Sequence, residues 1–191
     1  EGVTCSRENY VVELNLSGFG LTGQLSSSIG CFPFLKSLYL NDNKLTSTIP
    51  EAICDLANLQ YLQMDRAGLT GTIPTCMCSM THLMYLYMDS NSLTGEIPTC
   101  VSNLTFLKEM HLKCNAISGT IPTGFNNLQF LTEVRFNCND NLSCTSDLAN
   151  KSDFIFLCGT TDCEDCAIAQ ARCPVDITFA NCGMYRSLRS S

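Results

Sequence analysis

Apolar residues recur along the chain with a strict 24-residue spacing. The segment from Leu86 to Pro98, LYMDSNSLTGEIP, has copies that begin at Leu38, Leu62 and Met110. Equivalent apolar positions extend the register to six turns, at Leu14, Leu38, Leu62, Leu86, Met110 and Val134. A fixed period of this length is typical of a solenoid, because each unit buries its apolar face only against stacked neighbours. The sequence therefore predicts about six coils around one continuous core.

Each copy starts with a short alternation of apolar and polar residues, such as Leu86 and Met88, which predicts a strand with one buried face. Identical strands one coil apart must pair in parallel. The chain then turns, and a column of asparagines recurs at Asn43, Asn91, Asn115 and Asn139, interrupted at Phe19 and Ala67. We expect these side chains to pair with backbone groups inside the coil, because buried polar groups need partners.

The second half of each copy ends in proline and is followed by apolar residues at three-residue spacing, as in Val101, Leu104 and Leu107. Proline prevents the preceding segment from continuing as an ordinary ladder of strand hydrogen bonds. The three-residue spacing predicts a short 3₁₀ turn on the back of each coil.

The pattern LxxLxLxxNxLTGxIPxxLxxLxx resembles the plant-type leucine-rich repeats of receptor-kinase ectodomains and polygalacturonase-inhibiting proteins. The resemblance covers about two thirds of the chain, from Val11 to Cys144. It implies a right-handed solenoid with a parallel β-sheet on the concave face. Short second strands at the LTGxIP segments and 3₁₀ turns are then expected on the convex side. Proteins of this kind are usually extracellular and bind other molecules; they are not usually enzymes.

Three segments are expected. Residues 1–10 resemble the end of the family's N-terminal cap through GVTC at Gly2 to Cys5, residues 11–143 hold the repeats, and residues 144–191 form a cysteine-rich C-terminal cap. The last segment has six cysteines without a period, so their pairing stays open. Its Cys163 and Cys166 form a lone CxxC, which we interpret as disulfide-bonded because a second ligand pair for zinc and a thioredoxin-like setting are both missing.

Fourteen cysteines among 191 residues favour an oxidising, extracellular compartment. The repeat register predicts disulfides between cysteines one period apart and leaves the first two cysteines to each other, giving Cys114–Cys138, Cys54–Cys78, Cys76–Cys100 and Cys5–Cys31. Glycosylation sequons, which fit a secretory route, stand at Asn15, Asn103, Asn141 and Asn150. Asn15 is expected on the concave face and Asn103 on the convex one.

Charge and hydropathy exclude two further partners. A net charge of −7 and a pI near 4.7 argue against nucleic acid, because phosphate binding needs a basic face. No apolar run approaches the roughly 20 residues of a membrane span. The first ten residues also show neither a basic start nor an apolar run, so we expect a processed form.

Catalytic motifs are missing from the sequence. The two histidines are His82 and His111, and no nucleophile motif, phosphate-binding glycine loop or HExxH pattern occurs. His111 alternates with Glu109 and Lys113 along one strand, an arrangement we interpret as a solvated sheet surface rather than an acid–base cluster. We therefore predict a non-enzymatic protein that needs no cofactor or metal.

The concave face carries the strongest functional signal. Three outward columns follow from the register: Ser37, Tyr61, Tyr85, Glu109, Glu133; then Tyr39, Gln63, Tyr87, His111, Arg135; then Asn41, Asp65, Asp89, Lys113, Asn137. Four of the six tyrosines share this face. Tyrosine provides a large rigid contact area with a polar tip. We predict a binding surface made of Tyr39, Tyr61, Tyr85, Tyr87, Asp65, Asp89, His111 and Lys113; a stacked aromatic ladder that only stabilises the sheet is the alternative.

Two functions fit these observations. The first is extracellular recognition of a peptide, a glycan or a protein on the tyrosine face, where Asp65 and Asp89 favour a basic or hydroxyl-rich partner; a calcium site would need more oxygen ligands. The second is a structural subunit of an extracellular filament, sheath or wall. That alternative follows from the short N-terminal cap, which leaves the first coil incompletely shielded and open to head-to-tail contact with another copy.

Overall fold

The computed structural model describes residues 2–143 and the strand at 155–157. It is a right-handed solenoid in which each full coil contains an inner strand, a short outer strand and a 3₁₀ helix. The elements, in chain order, are β1 (Val3–Cys5), β2 (Val11–Asn15), β3 (Thr22–Gly23), η1 (Ser27–Cys31), β4 (Ser37–Tyr39), β5 (Lys44–Leu45), η2 (Glu51–Asp55), β6 (Tyr61–Gln63), β7 (Thr70–Thr72), η3 (Thr75–Ser79), β8 (Tyr85–Tyr87), β9 (Ser92–Glu96), η4 (Thr99–Asn103), β10 (Glu109–His111), β11 (Ala116–Thr120), η5 (Thr123–Asn127), β12 (Glu133–Arg135), β13 (Asn141–Ser143) and β14 (Ile155–Leu157).

The inner strands form one eight-stranded sheet in the order β1-β2-β4-β6-β8-β10-β12-β14. All neighbours are parallel except β1 and β2, and the parallel register pairs residues one period apart, such as Leu62 with Leu86 and Met110 with Val134. These central residues are buried. The predicted 24-residue register is confirmed. On the convex side, β7, β9, β11 and β13 form a second parallel sheet and β3 pairs with β5.

The first coil does not present an open edge. β1 runs antiparallel to β2 and pairs Val3 with Leu14, so the strand that was expected to be exposed already has a partner. The edge is β1 itself, which is only three residues long, and short edge strands limit sheet-to-sheet pairing. The backbone of β2 is therefore paired, contrary to the expected open edge, whereas the apolar side chains of Val12, Leu16 and Leu21 are only half-buried, as predicted for an incompletely shielded first coil.

Disulfides connect the 3₁₀ helices with an offset that differs from the predicted one. The bonds are Cys54–Cys76 and Cys78–Cys100, each spanning 22 residues with a Cα–Cα distance of 5.8 Å. In both cases the fourth residue of one 3₁₀ helix meets the second residue of the next. The predicted Cys54–Cys78 and Cys76–Cys100 pairs were wrong because equivalent positions point the same way, whereas the fourth and second positions face each other.

The flanking coils make the same contact with small residues. A Cβ added to Gly30, fourth in η1, would lie 2.7 Å from the carbonyl oxygen of Ala52, second in η2. A Cβ added to Gly124, second in η5, would lie 3.0 Å from Cβ of Ser102, fourth in η4. The four interfaces between the helices therefore share one geometry, and two of them are covalently bonded.

Of the remaining described cysteines, Cys5 and Cys31 depart from their predicted pair. Cys5 and Cys31 are exposed free thiols, so the predicted bond between them was wrong. Cys114 and Cys138 are both disulfide-bonded, and the direct bond between them stays a prediction. Both have positive φ angles, 56° and 58°, at the turn after the inner strand.

The asparagine column satisfies backbone groups inside the coils, as predicted. Asn91 Oδ1 accepts hydrogen bonds from the amides of Ala67 and Leu69, and its Nδ2 donates to the carbonyls of Met64 and Met88. Asn43, Asn115 and Asn139 make the corresponding contacts in their own coils.

Ala67 interrupts the column without leaving an amide unpaired. The Leu45 amide, which an asparagine at position 67 would accept, donates instead to the carbonyl oxygen of Ala67 at 2.8 Å. The coils approach closely here, since a Cβ on Gly68 would lie 2.3 Å from the Leu45 carbonyl oxygen. With φ at +82°, position 68 requires glycine on two grounds.

Several predicted features lie at or beyond the limits of the described residues. Of the glycosylation candidates, Asn103 and Asn141 are exposed, and Asn15 is half-buried with Oδ1 bonded to the Ser17 amide. Asn150, the CxxC at 163–166 and the cysteine-rich cap expected at 144–191 lie outside the described residues, apart from β14, which pairs with β12. Within the described part, no helix has the length and apolar character required to cross a bilayer.

Candidate functional site on the concave face

The inner sheet aligns outward side chains in columns. The register pairs Tyr61 with Tyr85, Tyr85 with Glu109 and Glu109 with Glu133, and it pairs Gln63 with Tyr87 and Tyr87 with His111. The columns deduced for the inner strands are thus the observed ones.

The four concave tyrosines form one continuous ring cluster. Tyr61 is central: its ring centroid lies 4.9 Å from that of Tyr39, 5.6 Å from that of Tyr85 and 5.4 Å from that of Tyr87. All four side chains are half-buried, so each presents part of its ring to solvent while the remainder contacts its neighbours. The Nζ of Lys108 lies 5.6 Å from the Tyr85 ring centroid, within the range of a cation–π interaction.

Two tyrosine hydroxyls are held as neutral donors. Tyr87 Oη donates to Glu109 Oε2 at 2.6 Å, and burial together with this bond raises the pKa of Tyr87 well above its ordinary value. Burial, followed by the neighbouring Tyr39, raises the pKa of Tyr61. Tyr61 and Tyr87 therefore present uncharged phenol groups at neutral pH.

Asp65 and Asp89 lie beside the tyrosines but are engaged in the sheet. Asp65 Oδ1 accepts the Asp89 amide at 2.8 Å, and Asp89 Oδ1 accepts the Lys113 amide at 2.6 Å. Gln63 Nε2 donates to Asp65 Oδ2 at 2.9 Å. Burial, and then the charge of Asp65, raises the pKa of Asp89 to about 7. Both carboxylates thus link successive coils in addition to any role toward a ligand.

His111 is buried, with 9% of its surface exposed, so the predicted solvated setting was wrong. The Tyr87 ring packs on its imidazole with a centroid separation of 4.6 Å. His111 Nε2 lies 3.6 Å from Glu109 Oε2 and 3.6 Å from Glu133 Oε1, and it has no hydrogen-bond partner. Burial, followed by the charge of Arg135, lowers the pKa of His111.

Glu133 and Arg135 belong to this cluster although the sequence-predicted site omits them. Arg135 Nε donates to Glu133 Oε1, which places a positive charge next to the carboxylate. The sequence could have identified both residues as part of the site, because they stand in the outward columns. Within the described residues, Glu109, His111 and Glu133 are the group whose ligand atoms, all within 4.8 Å of one another, could hold a metal ion.

The family follows from comparison with known proteins. The family model for the leucine-rich repeat region matches residues 10–152, about three quarters of the chain. The chain belongs to the leucine-rich repeat family. One curated relative of this leucine-rich repeat protein is the LRR receptor-like serine/threonine-protein kinase EFR of Arabidopsis thaliana, 52% identical over 60 residues. Those residues are 31% of this chain and 6% of that kinase, so the chain spans a small part of its relative.

Solved structures give the same family over most of the chain. The LRR ectodomain of the receptor kinase SOBIR1 from Arabidopsis thaliana superposes with a TM-score of 0.70 at 28% identity, covering 75% of this chain and 83% of that ectodomain. The ectodomain of the Arabidopsis receptor kinase HAESA, solved with an IDA peptide hormone ligand, gives 0.73 at 27% identity, covering 83% of this chain and 28% of that one.

Proposed function

We propose that this leucine-rich repeat protein is a non-enzymatic, extracellular recognition protein that binds a peptide segment, free or within a protein, on the tyrosine cluster of its concave face. The observation that carries the proposal is the contiguity of four half-exposed tyrosine rings on one rigid sheet. Rigid aromatic side chains lose little conformational entropy on binding, which is why they concentrate at hot spots.

The surroundings of the cluster favour a basic segment. Glu109 and Glu133 lie next to the tyrosines, and the chain has a net charge of −7. The Lys108 ammonium already lies against the Tyr85 ring, so an aromatic face of this cluster is compatible with a cation. The HAESA ectodomain, of the same family, has a peptide hormone as its ligand, which supports a peptide for this chain.

The disulfides support the same function by fixing the surface. Cys54–Cys76 and Cys78–Cys100 join the backs of three successive coils, those that carry β4, β6 and β8. A surface that does not reorganise on binding retains more of its contact energy as affinity.

The test is a selection from a phage-displayed library of random peptides on the wild-type protein alone, after which each enriched peptide is measured on Tyr61→Ala/Tyr85→Ala/Tyr87→Ala. We expect enriched peptides to carry Lys or Arg and to bind the triple variant more weakly. Each tyrosine that acts as a hot spot costs about 2 kcal/mol, or about 30-fold in Kd. The control variant Phe106→Ala/Phe130→Ala removes two exposed, stacked rings outside the sheet and should bind normally.

The alternative of a purely stabilising ladder gives a different result. Replacing the same three tyrosines by Phe keeps the ring packing and removes the hydroxyls. Recognition predicts that the Phe variant, which keeps the rings, binds selected peptides more tightly than the Ala variant, whereas a purely stabilising ladder predicts equal binding by all three proteins. Selected peptides that bind wild type and both triple variants equally, or a selection that enriches no peptide, contradict the proposal.

A further inference from the structure

His111 Nε2 is a buried polar atom with no partner, in a position where a ligand would satisfy it. A buried unsatisfied nitrogen destabilises the folded protein, so its persistence calls for a physical cause. The imidazole nitrogen faces two carboxylates, yet the separations of 3.6 Å to Glu109 and to Glu133 are too long for hydrogen bonds.

The same separations suit a shared metal ion. Two ligand atoms bound to a tetrahedral zinc ion at about 2.0–2.1 Å lie about 3.3 Å apart. Both distances from Nε2 are within a few tenths of an ångström of that value, and the three ligand atoms lie within 4.8 Å of one another. We propose that Glu109, His111 and Glu133 form a binding site for a zinc-class divalent ion at the edge of the tyrosine cluster.

The donor set selects the kind of ion. One imidazole with two carboxylates suits zinc and similar transition metals, whereas calcium takes six to eight oxygen ligands. The strands supply the geometry: Glu109 and His111 are two apart on β10 and point the same way, and Glu133 lies opposite Glu109 on β12. The three ligands therefore come from one rigid part of the sheet.

Outer contacts orient two of the ligands. Tyr87 donates its hydroxyl to Glu109 Oε2, and its ring packs on His111. A carboxylate oxygen has two lone pairs, so Glu109 Oε2 can accept this hydrogen bond and still bind a metal. Such outer partners hold ligands in place, and removing one typically weakens metal affinity 10- to 100-fold.

Arg135 opposes the ion. Its Nε donates to Glu133 Oε1, the oxygen that lies near His111, and its charge repels an incoming cation. Arg135→Gln should therefore tighten zinc binding, while substitution of a ligand weakens it. If the cluster were only structural, these two kinds of substitution would not change zinc affinity in opposite directions.

The experiment is titration of the full chain with zinc chloride in a calorimeter. All variants carry Cys5→Ser and Cys31→Ser, because these free thiols are themselves zinc ligands. We expect one site, weakened by about tenfold or more in His111→Ala and in the near-isosteric Glu133→Gln. The control is His82→Ala, which removes the other histidine, an exposed one, and should bind like the parent.

Nitrogen NMR of the imidazoles provides a readout that does not need the His111 variant to fold. With two histidines in the chain, zinc should shift the Nε2 resonance of His111 and leave that of His82 in place. Undetectable binding, equal affinity in His111→Ala, or a shift at His82 instead of His111 would overturn the proposal.

Discussion

Replacing Asn91 by alanine tests whether the asparagine column holds the coils together. The side chain accepts the amides of Ala67 and Leu69 at 3.1 and 3.0 Å, and it donates to the carbonyls of Met64 and Met88 at 2.8 and 3.1 Å. Each buried amide that loses its partner costs about 1–3 kcal/mol, so the two amides alone give a loss of about 4 kcal/mol. The hydrogen bonds that Asn91 Nδ2 donates to carbonyls are lost as well, which adds to the loss of stability.

A second variant, Asn115→Ala, measures how much the second amide accepted by Asn91, that of Ala67, contributes to stability. Asn115 accepts a single amide, that of Leu93, while its Nδ2 donates to three carbonyls, as many as the Nδ2 of Asn91. Asn115→Ala should therefore be about half as destabilising as Asn91→Ala. Asn58→Ala is the control, because Asn58 is exposed and donates only to the Pro33 carbonyl.

The assay is urea denaturation of the oxidised protein, followed by far-UV circular dichroism. The expected order of destabilisation is Asn91→Ala, then Asn115→Ala, then Asn58→Ala. If Asn91→Ala unfolds at the same urea concentration as Asn58→Ala, the column does not stabilise the solenoid through its amides. If Asn91→Ala and Asn115→Ala are equal, the second amide of Asn91 contributes nothing measurable.

Two further predictions concern protonation and backbone geometry. Because the pKa of Asp89 is raised to about 7 in the folded protein, above about 3.9 in an unfolded chain, the folded state binds this proton more tightly. The stabilisation is fully present below about pH 4 and is lost as the pH rises through about 7. Melting temperatures should thus fall across this window and fall less in Asp89→Asn; parallel profiles would contradict the assignment. Gly68→Ala should destabilise the protein more than Gly18→Ala. Both positions have positive φ, but an added Cβ meets the Leu45 carbonyl oxygen only at position 68. Thermal unfolding of the two variants measures this difference, and equal losses of stability would show that the contact does not matter.

The fold was predictable because the burial pattern and the period are local properties of the sequence. Leu62 and Leu86 are buried and one period apart, and a solenoid has few other ways to bury both. The disulfides were not predictable from the period alone. Equivalent residues share a direction, so contact between Cys54 and Cys76 depends on which positions of a 3₁₀ helix face forward and back.

The site was predictable only in part. The columns place Tyr61, Tyr85 and Tyr87 on one face without knowledge of rotamers, because strand side chains alternate. The burial of His111 depends instead on how the Tyr87 ring and the flanking carboxylates fill the space above it. Contacts of this kind arise between side chains on three strands, and no periodic pattern encodes them.

The offset disulfides also determine what happens when the backbone is cut. Cys54–Cys76 encloses β6 and β7, and Cys78–Cys100 encloses β8 and β9. Hydrolysis of a peptide bond inside either loop leaves both new ends attached to the solenoid through sulfur. A protease would thus add the mass of one water molecule without releasing a fragment, until the thiols are reduced. The strands that carry Tyr61, Tyr85 and Tyr87 are the ones retained in this way.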